Sequence, residues 1–296
     1  MTIGRVTQRM MTAGSLDHLQ RNLGTLSRTQ ERLSTGRQIN RPSDDPTGTT
    51  SAMRLRSSAA SQAQYSRNAQ DGIGWLTQAD AALDSATSTV KRARDLALQG
   101  ASAPATGPGA REALAVEVDQ LRAQLISQAN TTYLERPVFG GVTSGDKAYD
   151  ATGAYVGTVG DVNRRIADGI TVKVDVDGPA AFGTGATSAF AELDALSTAL
   201  RAGDKAGITA GIAALNNRID TITTARTAAG VRYQRLELAD QSASDAFLAL
   251  GNQLGTIENA DLTKTTVDLK MQEVAYQAAL AATSRVIQPS LLDFLR

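Results

Sequence analysis

Apolar residues near the start of the chain fall at alternating steps of three and four: Leu16, Leu19, Leu23, Leu26 and Leu33, with Gln30 holding one step. That spacing places them on one face of a helix. The stripe is narrow and is flanked by Arg21, Arg28, Arg32 and Arg37, so the helix needs a partner to cover its seam. The pattern stops at Gly36, and a turn-rich passage follows through Asn40, Pro42, Asp44, Asp45 and Pro46. A new helix is expected at Pro46. Proline pushes Asp45 out of the α region, suits the first helical position, and leaves Asp45 as the cap.

The next helix is expected to run to about Gln99, with an expected break near Gly72 or Gly74, and Gly100 to Gly109 reads as a loop. Leu114, Val118, Leu121 and Leu125 mark a further helix ending near Thr132. Between Pro137 and Gly185 glycines multiply. Ile170, Val172, Val174 and Val176 alternate as a strand would, and Ala154 to Val159 is a weaker strand candidate. Helical spacing returns with Phe190, Leu193, Leu196 and Leu200, then breaks at Gly203 to Gly207. From Ile212 to Ile257 the alternation runs without a slip, and only Arg226 and Asp240 interrupt the apolar seam. Such a helix spans roughly 65–70 Å, too long for an ordinary globular domain. The last amphipathic stretch carries Leu262, Val267, Leu269, Val274, Leu280 and Ile287, and closes on Leu291 and Leu292 beyond Pro289.

The expected fold is therefore mainly α: an elongated helical bundle or coiled coil with paired N- and C-terminal helices and a small central β-rich insert. Three parts are expected: 1–42 with 257–296 as a terminal coiled-coil core, 43–135 with 188–256 as a long-helix bundle, and 136–187 as the outer insert.

Composition narrows the chemistry. The 296 residues carry 30 basic and 30 acidic side chains, which gives no basic excess for a nucleic-acid backbone. No run approaches a membrane span and none has signal-peptide character. The chain has no cysteine, which removes thiolate nucleophiles and cysteine metal sites, and its one histidine, His18, lies on a leucine-striped helix. Asp44 and Asp45 are adjacent in a turn and do not converge as an acid–base pair. Asp175 and Asp177 precede Gly178 without the later ligands of a calcium loop. No catalytic residue, cofactor or metal ligand is expected.

Leu33 to Gly48, LSTGRQINRPSDDPTG, closely resembles the N-terminal signature of flagellin-like axial proteins. Ile257 to Leu262, with the Gln/Ala/Leu helix behind it and the final SLLDFLR, resembles their C-terminal signature. Tyr133, the Phe139-Gly140-Gly141 run, the approach to Phe182-Gly183 and the proline-flanked Asp pair look more like the hook-associated protein 3 family. Glu135 and Arg136 stand where that family has a small turn, which keeps a short flagellin as the alternative. A helical adhesin or sensor stalk is the more distant one.

The resemblance implies a structural, non-enzymatic subunit of the extracellular bacterial flagellum. It would leave the cell unfolded by the flagellar type III route without a cleaved signal peptide. It would assemble into a tube or ring as the hook–filament junction, beside neighbouring hook-associated and flagellin subunits. An export chaperone would bind its C-terminal helices. The assembly surface would be carried by Leu16, Leu19, Leu23, Leu26, Leu33, Val267, Leu269, Val274, Leu280, Ile287, Leu291 and Leu292. Asn40, Pro42, Asp44, Asp45 and Pro46 would form the signature turn and cap.

Overall fold

The computed structural model describes residues 3–102 and 107–287. Seven α-helices are described: α1 (Ile3–Thr35), α2 (Pro46–Ser102), α3 (Pro108–Ala129), α4 (Gly178–Phe182), α5 (Ala189–Ala202), α6 (Lys205–Glu258) and α7 (Leu262–Ile287). Two small antiparallel pairs interrupt them, β1 (Thr132–Tyr133) with β2 (Arg136–Pro137) and β3 (Asn163–Ala167) with β4 (Ile170–Lys173). The chain divides into two compact units, residues 1–60 with 248–296, and residues 61–247.

In the larger unit the unbroken three–four pattern becomes a buried line on α6. Leu215, Ile222, Ala229 and Leu236, each seven residues apart, are almost fully buried, and Leu76, Leu83 and Val90 of α2 lie in the same core. The two polar interruptions of the seam meet matching groups on α2. The Arg226 guanidinium reaches Asp80 at 2.9 Å and Asp84 at 2.6 Å. The Asp240 carboxylate accepts from the Ser66 hydroxyl at 2.5 Å and from the Gln70 amide at 3.3 Å. A mismatched register would leave these charges without partners, so they fix the helix pairing as well as contributing to it.

α2 is continuous through Gly72 and Gly74, contrary to the break expected there. The glycines are spacers. A Cβ at Gly72 would lie 2.8 Å from a Val174 methyl, and one at Gly74 would lie 2.9 Å from Cζ of Tyr133. Tyr133 stands edge-on to Trp75 at 5.8 Å, and the Arg136 guanidinium covers the same indole at 5.4 Å. Gly74→Val should force this stack apart and lower stability by about 1–3 kcal/mol, the usual range for overpacking. Because Trp75 is the chain's only tryptophan, urea unfolding followed by its fluorescence checks both the midpoint and the local environment.

The insert also departs from its sequence pattern. Ala154 to Val159 forms no strand; only isolated bridges, Tyr149 with Tyr155 and Gly141 with Thr158, pass through it. β4 stops at Lys173, although Val174 and Val176 beyond it are buried with Val172, while Ile170 at the hairpin end is exposed. The chain there serves a ring cluster instead of a sheet. Tyr149 packs on Phe190 at 5.0 Å, and Phe182, on α4, stands edge-on to Phe139 at 5.2 Å. α3 ends at Ala129, short of Thr132, because the Asn130 side chain turns to hold the backbone of Ala148 and Tyr149.

Asp175 is buried at the open end of the β3–β4 hairpin. One oxygen accepts from the Val162 N–H at 2.7 Å, and the other lies 3.6 Å from the Lys173 ammonium, which also pairs with Asp161. Arg232 donates to the Asp175 carbonyl at 2.9 Å, not to its carboxylate. Burial raises the Asp175 pKa, outweighing the Val162 hydrogen bond and the Lys173 charge. The folded state thus holds this proton more tightly than the unfolded chain. Between the ordinary carboxylate value and the raised one, the group's contribution to stability grows as pH falls and is lost as pH rises. Asp175→Asn should remove that part of the pH dependence and raise the denaturation midpoint at neutral pH; thermal melts across the acid range test both.

Candidate assembly interface

The site is built where the two ends of the described chain meet, within the unit of residues 1–60 and 248–296. α1 closes on Gly36, whose N–H returns to the Arg32 carbonyl at 2.9 Å with φ at +69°, a left-handed conformation that favours glycine. The turn beyond it is folded by Asp44. One carboxylate oxygen accepts from the backbone N–H groups of Arg41 at 2.9 Å and Asn40 at 3.1 Å. The Arg41 hydrogen bond is the largest influence on Asp44; with the Asn40 bond and the charges of Arg32 and Arg41 it holds the carboxyl below its ordinary range, despite some desolvation. Asp45 accepts from the Gly48 N–H at 2.9 Å, three residues on, and α2 starts at Pro46 between them. Both carboxylates are thus occupied by the turn and the cap. Pro42 is exposed on the same turn.

The stretch between α6 and α7 completes the arrangement. Gln38 donates to the Glu258 carbonyl at 2.6 Å and Ala260 donates to the Gly36 carbonyl at 2.9 Å, setting Arg37 opposite Asn259. The buried Glu258 carboxylate takes the Arg56 guanidinium at 2.7 Å. Asp261 then caps α7 through the Lys264 N–H at 3.1 Å. Two motifs more than two hundred residues apart, Leu33–Gly48 and Ile257–Leu262, become one small antiparallel knot.

From this knot α1 and α7 pack along each other. Among the described side chains, the positions buried along the pair are threonines: Thr29, Thr265 and Thr283. Each hydroxyl is satisfied by a carbonyl four residues back in its own helix, at 3.0, 2.7 and 2.7 Å, so a methyl is free to pack. Near the knot the pair opens into a charged cleft of about 630 Å³, lined by Arg28, Arg32, Lys264 and Asp268 among others.

The apolar stripes are only partly used. Leu19, Leu26, Leu33 and Leu269 are half-buried, whereas Leu16 and Leu23 are each 50% exposed. On α7 Val267, Met271 and Val274 are 54%, 60% and 65% exposed, and Leu280 is exposed as well. At about 100° per residue, Val267 and Val274 project from the side of α7 nearly opposite Thr265 and Thr283. The valines are therefore not the seam that α7 offers α1. Ile287 is the last residue of α7, and Leu291 and Leu292 lie outside the described residues.

His18 is exposed on α1. No cluster of metal-ligating side chains occurs among the described residues, and none of the described helices is long and apolar enough to cross a membrane.

Residues 6–139 match the family model of the bacterial flagellin N-terminal helical region. The chain is 26% identical over 281 residues to flagellar hook-associated protein 3 of Escherichia coli (strain K12), covering 85% of this chain and 87% of that protein. It is 24% identical over 301 residues to a flagellin of Listeria innocua serovar 6a, covering 98% and 99%. Among solved structures, the flagellar hook associated protein-3 of Legionella pneumophila shares the fold with a TM-score of 0.61 at 14% identity, over 69% of this chain and 98% of that one.

Proposed function

We propose, from the premise that this chain belongs to the flagellin-like axial proteins, that it is a structural subunit of the bacterial flagellum and forms the hook–filament junction. The observation that carries this is the similarity to hook-associated protein 3 along most of both chains, joined to the knot that ties the two signature motifs together. The chain works as a building element, without catalysis. Its partners are further copies of itself and neighbouring flagellar subunits.

The geometry supports a specific way of assembling. With α1 and α7 already packed on each other, Leu16, Leu23, Val267, Met271 and Val274 still face outward. Burying them against neighbouring copies stabilises by about 25 cal/mol per Å² of apolar area, and a head-to-tail contact of this kind propagates as a tube or ring. In this proposal the chain keeps its three parts, 1–42 with 257–296, 43–135 with 188–256, and 136–187, and the terminal part is the one that assembles. Export unfolded through the type III route and escort by a chaperone on the C-terminal helices complete the reading.

A short flagellin is the second reading, favoured by the full-length match to the Listeria protein. Copy number separates the two. In a strain deleted for this chain, intact hooks and filament protein shed into the medium are expected, and the restored, labelled chain should appear as a thin band at the distal end of the hook. Label along the whole filament would instead establish the flagellin role.

A further inference from the structure

The outward face of α7 carries a thioether. Met271 lies four residues after Val267 and three before Val274, 60% exposed between two exposed valines. Met10 on α1 and Met53 on α2 are exposed as well, at 71% and 63%, but Met10 is not on the α1 leucine stripe and the helical neighbours of Met53, Thr49, Thr50, Arg56 and Ser57, are polar. The chain has no cysteine to intercept an oxidant.

We infer that Met271 is an oxidation site through which a peroxide blocks assembly of the free subunit, an inference that rests on the proposed burial of the α7 stripe between subunits. The step is a two-electron oxidation. The peroxide O–O bond breaks, one oxygen bonds to the Met271 sulfur to give the sulfoxide, and the other leaves as water. A flexible apolar side chain becomes one with a strong hydrogen-bond acceptor. Exposed on the free chain, that acceptor is met by water. Buried against a neighbour between Val267 and Val274, it loses that water, and the side chains one turn away on its own helix, Val267, Asp268, Val274 and Ala275, offer no donor to replace it. In the assembled state the same burial shields the sulfur, so the modification acts on subunits before they are placed.

The test uses the full chain, partly oxidised with hydrogen peroxide and added to hook-bearing cells of a strain lacking it. Mass spectrometry then compares the sulfoxide fraction at each methionine in the incorporated chains with that in the input. The expected result is depletion of Met271 sulfoxide by about tenfold in the incorporated pool, with Met53 sulfoxide at its input level. Full oxidation should block incorporation of the natural chain and of Met53→Leu, spare Met271→Leu, and be reversed by methionine sulfoxide reductase. Equal Met271 sulfoxide in the two pools, or equal depletion at Met53, overturns the inference while leaving the proposed function standing. Failure of the untreated natural chain to incorporate overturns both.

Discussion

Replacing Arg218 by leucine should destabilise the unit of residues 61–247 by about 3–5 kcal/mol, the range for removing one partner of a buried ion pair. Arg218 lies almost wholly inside the protein. Its guanidinium pairs with Glu192 of α5 at 2.9 Å and donates to the carbonyls of Thr187 at 2.5 Å and Ala181 at 3.4 Å. One side chain on α6 thus secures the start of α5, the turn before it and the end of α4. Without it, the Glu192 carboxylate stays half in the interior with no counter-charge and two carbonyls lose a donor, which is costlier than the absence of attraction alone. The double variant Glu192→Gln with Arg218→Leu should therefore recover part of the loss. Urea denaturation of the three chains measures it; a single variant within about 0.5 kcal/mol of the natural protein would show that the pair is dispensable.

Nothing in the sequence marks Arg218. It lies on α6 between the seam positions Leu215 and Ile222, and its partners are 26, 31 and 37 residues away along the chain, on α5 and in the short turns and helix before it. Where structure follows from neighbours in the chain, the reading from sequence holds. α2 begins at Pro46, α5 gives way at Gly203, and the α6 seam keeps its seven-residue register through Leu215, Ile222, Ala229 and Leu236. Arg226 and Asp240 stand out as interruptions, yet their partners on α2 emerge only from the packing. Gly72 and Gly74 look like breaks because local propensity disfavours glycine in a helix, whereas Val174 and Tyr133 need the space.

The site divides along the same line. Periodicity identifies α1 and α7 as amphipathic, and the two ends do pack together. It does not tell which stripe each helix spends on the other. Apolar side chains are the natural choice for a seam, but a threonine that bonds its own helix backbone packs as closely as a small hydrophobe, and Thr29, Thr265 and Thr283 occupy that place. The knot between the signature motifs is similarly invisible, since backbone pairing between Gln38 and Glu258 leaves no mark on residue type.

That division makes the outward stripe separable from the fold. Val267→Asp together with Val274→Asp should leave the helical content and melting temperature of the free chain nearly unchanged, because both side chains already face water. In the proposed assembly the same carboxylates would be buried against apolar surface, where Lys270, three residues after 267 and four before 274, is already paired with Glu273. Burying a polar group without a partner costs about 1–3 kcal/mol on mutational scales, and more when it is charged. Two such groups repeated at each contact around a ring should reduce incorporation at the hook end at least about a hundredfold, since every 1.4 kcal/mol is a factor of ten. The measurement is the amount of labelled chain on isolated hooks, set against the amount recovered from the medium so that export is read separately. Normal incorporation of the double variant would mean that neighbouring copies leave this face of α7 uncovered, and assembly would then have to run through the leucines of α1.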